Sequence, residues 1–156
     1  MTSPELTRSR RLPSEPMADR PQLPLEVALD RVGDRWSLLL IEGLLGGPRR
    51  YSELAEAVTG IAPNILADRL RRLEGEGVVR STPYQERPRR LSYALTAEGM
   101  ELAGAIRLLA DWGARGSAHA EPLRHAACGT PVTARLWCPT CARDIHAPEA
   151  EGLRFL

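Results

Sequence analysis

The fold of this chain is decided by residues 61–95, which read IAPNILADRLRRLEGEGVVRSTPYQERPRRLSYAL. The segment opens with a pattern typical of an amphipathic helix. Its predicted buried face consists of Ile61, Leu66, Leu70 and Leu73. Pro63 suits the first turn, where its missing N–H costs nothing. Gly75 and Gly77 are predicted to stop the helix.

The opposite face of this helix carries side chains that can read or hold nucleic acid. Its residues are Asn64, Ala67, Asp68, Arg71 and Arg72. Asn can bridge adenine in the major groove, and Arg can bridge guanine or hold a phosphate. Asp68 fits DNA less well; it either accepts from cytosine N4 or orients Arg71 or Arg72. Taken alone, the helix favours an ordinary amphipathic surface helix over a DNA-binding one.

The segment after the helix predicts a basic β-hairpin. Residues 78–84 and 90–95 read as two strands, and the second places Leu91, Tyr93 and Leu95 on one face at period two. The predicted loop between them, residues 85–89, is rich in Arg. Arg87, Arg89 and Arg90 at a hairpin tip suit phosphates or a narrow minor groove. A helix followed by such a hairpin favours double-stranded DNA as the ligand.

Three helices are predicted upstream. Residues 25–32 form the first, and Asp34 can cap the second. The second helix is lined by Trp36, Leu39, Leu40, Gly43 and Leu44, and residues 46–48 end it. Ser52 is predicted to cap the third, whose inward residues are Leu54, Ala57 and Val58. A helix, turn and helix at this spacing predict a helix-turn-helix.

A long helix is predicted from an N-cap at Thr96 to about Arg115. Its apolar residues cover a wide arc, which requires two packing partners. One partner is its own domain, and we expect the other to be a second subunit. The predicted dimer interface consists of Leu102, Ile106, Leu109 and Trp112.

Residues 23–118 resemble the HxlR-type winged helix-turn-helix regulators, a branch of the MarR-like family. The resemblance rests on markers spread along the domain, among them Gly33 to Trp36, Gly46 to Arg49, Tyr51 to Leu54, Gly60-Ile61, Arg69-Leu70, Leu73-Glu74, Gly77, Leu95-Thr96 and Gly99. It implies a mainly α, α+β fold with a long dimerisation helix. It also implies a homodimeric transcriptional regulator, most simply a repressor under a small-molecule effector, on an inverted-repeat operator.

The predicted DNA-binding surface combines these elements. Its residues are Arg35, Ser52, Pro63, Asn64, Ala67, Asp68, Arg71, Arg72, Arg87, Arg89 and Arg90. One feature departs from the family. Many members carry a redox-sensing Cys before the Pro of the first helix, but here Leu23 precedes Pro24. A thiol switch at that position is therefore excluded for this chain.

The cysteines provide a second motif, because all three lie in the segment HAACGTPVTARLWCPTCARDI. His125-x2-Cys128 and Cys138-x2-Cys141 are two pairs with the spacing of zinc ligands. Three thiolates and one imidazole form a closed tetrahedral set, so we predict one structural Zn²⁺ per chain. Residues 130–137 are predicted to form a short hairpin between the pairs. This zinc-ribbon-like appendage spans residues 119–148.

Other interpretations of this segment remain open. A cytosolic disulfide is disfavoured and the cysteine count is odd; a thioredoxin-like motif lacks its βαβ context. Unliganded thiols are the main alternative, and a redox-sensing zinc site is another. His146 is a reserve fourth ligand, whereas His119 is interpreted as solvated.

The composition bounds the remaining choices. The chain has 156 residues with 21 basic and 20 acidic side chains, a net charge of +1, so its cations must act locally. Residues 1–22 are predicted to be a disordered tail and 149–156 a C-terminal tail. No apolar run or leader-like segment suggests a membrane, and we expect a cytoplasmic protein.

Two other functional classes compete with the regulator. The appendage could make the chain a protein-interaction module on a winged-helix scaffold, and salt-dependent duplex binding would separate the two. An enzyme is not expected, because the sequence shows no nucleophile–base pair, phosphate loop or open metal site.

Overall fold

The computed structural model describes residues 22–118, 120–133 and 135–145. The predictions for residues 1–21, His119, His146 and the C-terminal tail therefore lie outside the described residues.

The described chain is an α+β winged helix followed by a small β appendage. In chain order its elements are α1 (Pro24–Val32), α2 (Arg35–Leu44), β1 (Arg49–Arg50), α3 (Tyr51–Ala57), α4 (Pro63–Gly75), β2 (Val79–Glu86), β3 (Arg89–Leu95), α5 (Ala97–Glu101), α6 (Ala103–Arg115), β4 (Leu136–Cys138) and β5 (Arg143–Ile145). The predicted fold class, with α4 followed by a hairpin wing, is confirmed.

The wing is a three-stranded antiparallel sheet in the order β1-β3-β2. Val79 pairs with Leu95, and Glu86 with Arg89. The predicted five-residue loop is wrong, because the ladder extends to Glu86 and leaves a much tighter turn. β1 was not predicted, since two residues are too short to show a period; Arg49 pairs there with Tyr93.

The core lies where α2, α3 and α4 meet the base of the wing. Its most enclosed apolar side chains are Leu40, Ile41, Leu44, Leu54, Leu66, Leu70, Leu73 and Val78, each at most 2% exposed. The periodicity of α4 identified Leu66, Leu70 and Leu73 correctly. In α2 the sequence pattern missed Ile41, which is buried. Ala57 of α3 was predicted to face inward, but it is exposed.

The helix ends agree only partly with the predictions. The Asp34 carboxylate caps α2 by accepting the backbone N–H groups of Trp36 and Ser37, as predicted. Ser52 does not cap α3, because the helix already begins at Tyr51. Instead, the Glu53 carboxylate accepts the backbone N–H of Arg50 at 2.6 Å.

The glycine that turns the chain after α4 lies two residues beyond the first predicted stop. Gly75 is the last helical residue, and the left-handed conformation (φ +72°) is at Gly77. That conformation turns the chain into Val78, which is buried. Gly77 therefore connects α4 to the wing.

α1 is held to the domain mainly by polar contacts. The Arg31 guanidinium contacts the carboxylates of Glu76, at 3.0 Å, and Glu98, at 2.6 Å. The Arg72 guanidinium donates to the carbonyl of Asp30. Val32 is the buried residue of this helix. Consequently, most of its apolar side chains remain exposed.

The predicted long C-terminal helix is two helices. Thr96 is the predicted N-cap, and its hydroxyl accepts the Gly99 N–H at 3.0 Å. However, α5 ends at Glu101 and α6 begins at Ala103, with Leu102 donating to Gly99 rather than to residue 98. Gly99 lies so close to β2 that a Cβ there would sit 2.1 Å from the Val78 carbonyl oxygen.

The appendage consists of two turns, one around each ligand pair. Arg124 forms an antiparallel bridge with Pro131, and β4 pairs with β5. The predicted hairpin over residues 130–137 is therefore wrong: the chain reverses at each pair rather than between them. Between residues 120 and 145, no described residue is buried. Within the described part of the chain, no helix is long and apolar enough to cross a membrane.

Candidate nucleic-acid interface

The outward face of α4 has the predicted composition. Asn64, Asp68 and Arg71 are exposed, and Ala67 is half-buried. Three-quarters of the Arg71 side chain is accessible to solvent. Its Nε donates to the Ala67 carbonyl at 3.3 Å, which directs the guanidinium along the helix. The face thus presents an amide and a guanidinium, which both suit base edges.

Asp68 has partners within its own helix. Its carboxylate contacts Arg69 at 2.9 Å and lies 4.0 Å from Arg71. The structure therefore favours orientation of arginines as its role over acceptance from a base. The arginines concerned are Arg69 and Arg71, whereas Arg72 contacts α1.

Among the predicted DNA contacts, Arg72 has a partner in α1. Its guanidinium donates to the Asp30 carbonyl, so it attaches α4 to α1. Arg72 is exposed and its guanidinium has further N–H donors, so its DNA contact stays a prediction.

A partly buried polar junction connects α4 to α2. The Nε of Arg69 donates to Asp34 Oδ1 at 3.0 Å, and the Ser37 hydroxyl donates to the other carboxylate oxygen. Ser37 is fully buried. Burial alone raises the pKa of Asp34, but the Ser37 hydrogen bonds, the Arg69 charge and the Trp36 N–H together hold it below its usual value. The carboxylate thus stays ionised.

A basic groove lies between α3 and the wing. It encloses about 400 Å³ and is lined by Arg50, Tyr51, Ser52, Tyr84, Arg89, Arg90, Leu91 and Tyr93. The Arg50 guanidinium stacks over the Tyr84 ring at 4.7 Å. Among the described residues, no carboxylate pairs with Arg87, Arg89 or Arg90. These guanidinium groups are available for an anionic ligand.

Tyr51 connects this groove to α4. Its ring lines the groove, and its hydroxyl donates to the Pro63 carbonyl at 2.7 Å. Because Pro63 begins α4, the wing groove and the start of α4 are adjacent. Ser52 and Pro63, both predicted DNA contacts, lie at this connection.

Arg35, another predicted DNA contact, lies away from the basic groove. Its guanidinium stacks over the Trp36 ring at 4.8 Å. It lines an open groove of about 420 Å³ between α2 and α6, together with Leu38, Leu39, Glu42, Ile106, Leu109 and Ala110. The structure does not bring Arg35 together with the α4 and wing residues.

The sequence analysis did not include Arg50, Tyr51 and Tyr84 among the predicted DNA contacts; these residues line the basic groove between α3 and the wing. The Arg49-Arg50 pair just before a helix was an available signal, since it concentrates positive charge at a helix start. Tyr84 gave no signal, because its contact with Arg50 depends on the pairing of β1 with β3.

The predicted dimer residues fall into two groups. Ile106 is buried in the core of its own domain, and Leu102 packs against that core. The interface prediction is therefore wrong for Ile106 and weakened for Leu102. Leu109 is 52% exposed and Trp112 69% exposed, so these two remain available to a partner.

The predicted zinc ligands form two separate pairs in the appendage. Nδ1 of His125 lies 3.3 Å from Sγ of Cys128, and Cys138 and Cys141 are in hydrogen-bond contact. Hydrogen bonds from Thr130 hold the pKa of Cys128 below its usual value. The Cys141 N–H lowers the pKa of Cys138, and the hydrogen bond to Cys138 raises that of Cys141.

The two pairs do not converge on one point. All three cysteines are free thiols. Across residues 22–118, 120–133 and 135–145, no group of three or more His, Cys, Asp and Glu side chains could hold a metal ion as placed. Zinc binding thus stays a prediction.

A helix-turn-helix whose second helix exposes Asn64 and Arg71, followed by a cationic wing, defines a winged helix-turn-helix protein. The HxlR-like helix-turn-helix family matches residues 31–121, which is more than half of the chain. The chain belongs to this family of transcriptional regulators, and the resemblance predicted from its sequence is confirmed.

Relatives support the assignment. The chain is 38% identical over 124 residues to an uncharacterised HTH-type transcriptional regulator of Mycobacterium tuberculosis, covering 77% of this chain and 78% of the relative. It is 37% identical over 87 residues to a second such regulator, YvaP of Bacillus subtilis, covering 56% and 81% of the two chains.

Solved structures show the same fold. A MarR-family regulator from Enterococcus faecalis superposes with a TM-score of 0.53 at 37% identity, covering 64% of this chain and 91% of that chain. A candidate transcription factor from Pseudomonas aeruginosa gives a TM-score of 0.61 at 30% identity, covering 81% and 88%. The redox regulator HypR in its reduced form gives 0.56 at 30% identity, covering 58% and 90%.

The Asp34 junction predicts a pH-dependent stability. Asp34→Asn should retain most of the cap, since Asn caps as well as Asp, but should lose the charge opposite Arg69. Asp34→Ala should lose both and cost about 0.5–2 kcal/mol at neutral pH. Because folding lowers the pKa of Asp34, its contribution is present above about pH 4 and is lost as the pH falls through the folded-state pKa.

Urea unfolding of the three proteins at several pH values measures this. The gap in unfolding free energy between wild type and Asp34→Asn should narrow steadily below about pH 4. A gap of constant size would contradict a role for the ionised carboxylate.

Proposed function

We propose that this chain is a homodimeric, sequence-specific DNA-binding repressor of transcription that binds an inverted repeat. The observation that carries the proposal is the continuity of one surface. It runs from the exposed face of α4 through the Tyr51–Pro63 hydrogen bond to the basic wing groove. Bases and backbone of one duplex can be contacted from such a surface together.

Within this surface the side chains divide into two roles. Asn64 and Arg71 project from α4 and are suited to base edges in the major groove. Arg50, Arg89 and Arg90 line the groove beside the wing and are suited to phosphates, which contribute affinity without sequence preference. Arg87, next to them at the turn, is placed for the flanking backbone or minor groove.

The dimer is proposed from apolar surface that the described chain leaves exposed. On α1 and its approach these side chains are Leu23, Leu25, Val27 and Leu29, and on α6 they are Leu108, Leu109 and Trp112. The polar docking of α1 through Arg31 leaves its apolar face available. A second copy offering the same residues would cover both helices in a twofold interface.

The dimer explains how an inverted repeat would be read. Twofold-related α4 helices would enter successive major grooves about 34 Å apart. A small-molecule effector would act by changing that spacing. The groove between α2 and α6, of about 420 Å³, adjoins the proposed dimer surface through Leu109. A ligand there could alter how the two subunits meet.

The phosphate-binding role of the wing can be measured without knowing the operator. Arg90→Ala should weaken binding to a random-sequence duplex and reduce the slope of log K against log salt by roughly two for a dimer, one per subunit. Arg107→Ala removes the same charge from exposed α6 and serves as the matched control, with an unchanged slope. Fluorescence anisotropy across a salt series gives both values.

A slope for Arg90→Ala equal to that of the wild-type protein would mean that the wing does not touch the backbone. Equal reductions for the Arg90 and Arg107 variants would indicate a general charge effect rather than a local interface.

The dimer surface gives a separate prediction. Leu109→Arg should produce monomers at micromolar concentration, because it places a charge in the proposed apolar interface. The monomer should stay folded, since Leu109 is half exposed in its own domain. Sedimentation reports the assembly state and a thermal melt reports folding. A wild-type protein that sediments as a monomer would refute the dimer.

A further inference from the structure

We propose that the appendage is a zinc site in which His125, Cys128, Cys138 and Cys141 bind one Zn²⁺ and join its two turns. The inference is independent of DNA binding. Three observations support the site: the geometry of each predicted ligand pair, the backbone of each turn, and the lack of a hydrophobic core among the described residues of this segment.

The first pair already has the separation that zinc requires. In a tetrahedral site with Zn–N near 2.0 Å and Zn–S near 2.3 Å, neighbouring N and S ligands lie about 3.5 Å apart. The His125 Nδ1 and Cys128 Sγ atoms are 3.3 Å apart. The pair therefore matches one edge of the tetrahedron and needs little rearrangement to share an ion.

The backbone of both turns is shaped alike. In the first, the residue after the second ligand is Gly129, at φ +71°; in the second, it is Ala142, at φ +50°. A left-handed alanine is uncommon, because its Cβ disfavours that region. Each turn thus has a left-handed residue directly after its second predicted zinc ligand. This shared geometry is consistent with two turns that bind one metal ion.

Hydrogen bonds hold each turn in this shape. His125 accepts the N–H of Gly129 at 2.8 Å through its carbonyl and donates its own N–H to Thr130 at 2.9 Å. In the second turn Cys138 lies opposite Arg143 in the β4–β5 ladder, and Arg135 contacts Asp144 at 2.7 Å. Each half is thus organised before the two halves meet.

The described residues of this segment form no buried hydrophobic core. None of its described residues is buried, and Leu136 and Trp137 are 56% and 58% exposed. A segment this short does not fold on a core of its own, whereas structural zinc supplies the folding free energy directly. As placed, the two pairs do not form one metal-holding group. Zinc binding would bring the turns together, so metal binding and folding of the appendage are one event.

The test uses the full-length protein purified without a chelator. Elemental analysis should find about one zinc per chain, and X-ray absorption should show sulphur near 2.3 Å. Cys138→Ser and His125→Ala should each lose most of the metal. His146→Ala, the matched control for the fourth ligand, should retain it. If the His146→Ala variant lost its zinc while His125→Ala retained it, the proposed ligand set would be overturned.

Two further measurements make the outcome independent of variant folding. Wild-type protein stripped of zinc should become protease-sensitive after about Ala120 and should recover on adding zinc. Its winged-helix domain should stay folded and bind duplex, since the buried hydrophobic residues lie between Val32 and Ala114. Wild-type protein that carries no zinc and whose three thiols all react freely with a thiol reagent in zinc-containing buffer would overturn the site.

Discussion

The position of the recognition helix depends on one carboxylate. Asp34 caps α2, receives the hydroxyl of the buried Ser37 and contacts Arg69 of α4 at 3.0 Å. This contact ties α4 to α2 beside the apolar core that the two helices share. Arg69 is also next to Asp68, which lies beside Arg71. The cap of α2 thus connects through the side chains of Arg69 and Asp68 to Arg71, the proposed base-reading arginine of α4.

A second link places the wing. The Tyr51 hydroxyl contacts the start of α4, and β1, immediately before Tyr51, pairs with β3 of the wing. Because Arg50 belongs to β1 and stacks on Tyr84 of β2, the cations of the groove are held by the sheet rather than by a loop. A rigid surface of this kind loses little conformational entropy when it binds.

Sequence patterns predicted the elements whose signals are local. Leu66, Leu70 and Leu73 identified α4 from periodicity, and Asp34 was correctly identified as a cap. The failures involve contacts between distant residues: β1 depends on pairing with β3, and Ile106 proved to be a core residue because α6 packs on α2. The contact of Arg72 with α1 could not be predicted from its helix face, since its partner is a carbonyl of α1. In the appendage the ligand spacing was evident, but the sequence did not show that each pair has its own turn.

The central claim is that α4 reads base sequence, and Arg71→Ala tests it most directly. The duplex preferred by the wild-type protein can be selected from a random pool, and affinity for it can be compared with affinity for a scrambled duplex at one salt concentration. The account predicts a loss of about 1–3 kcal/mol per contacted base pair on the selected duplex and little change on the scrambled one. Equal losses on both would make Arg71 a phosphate contact, and no loss on either would remove α4 from the interface and contradict the account.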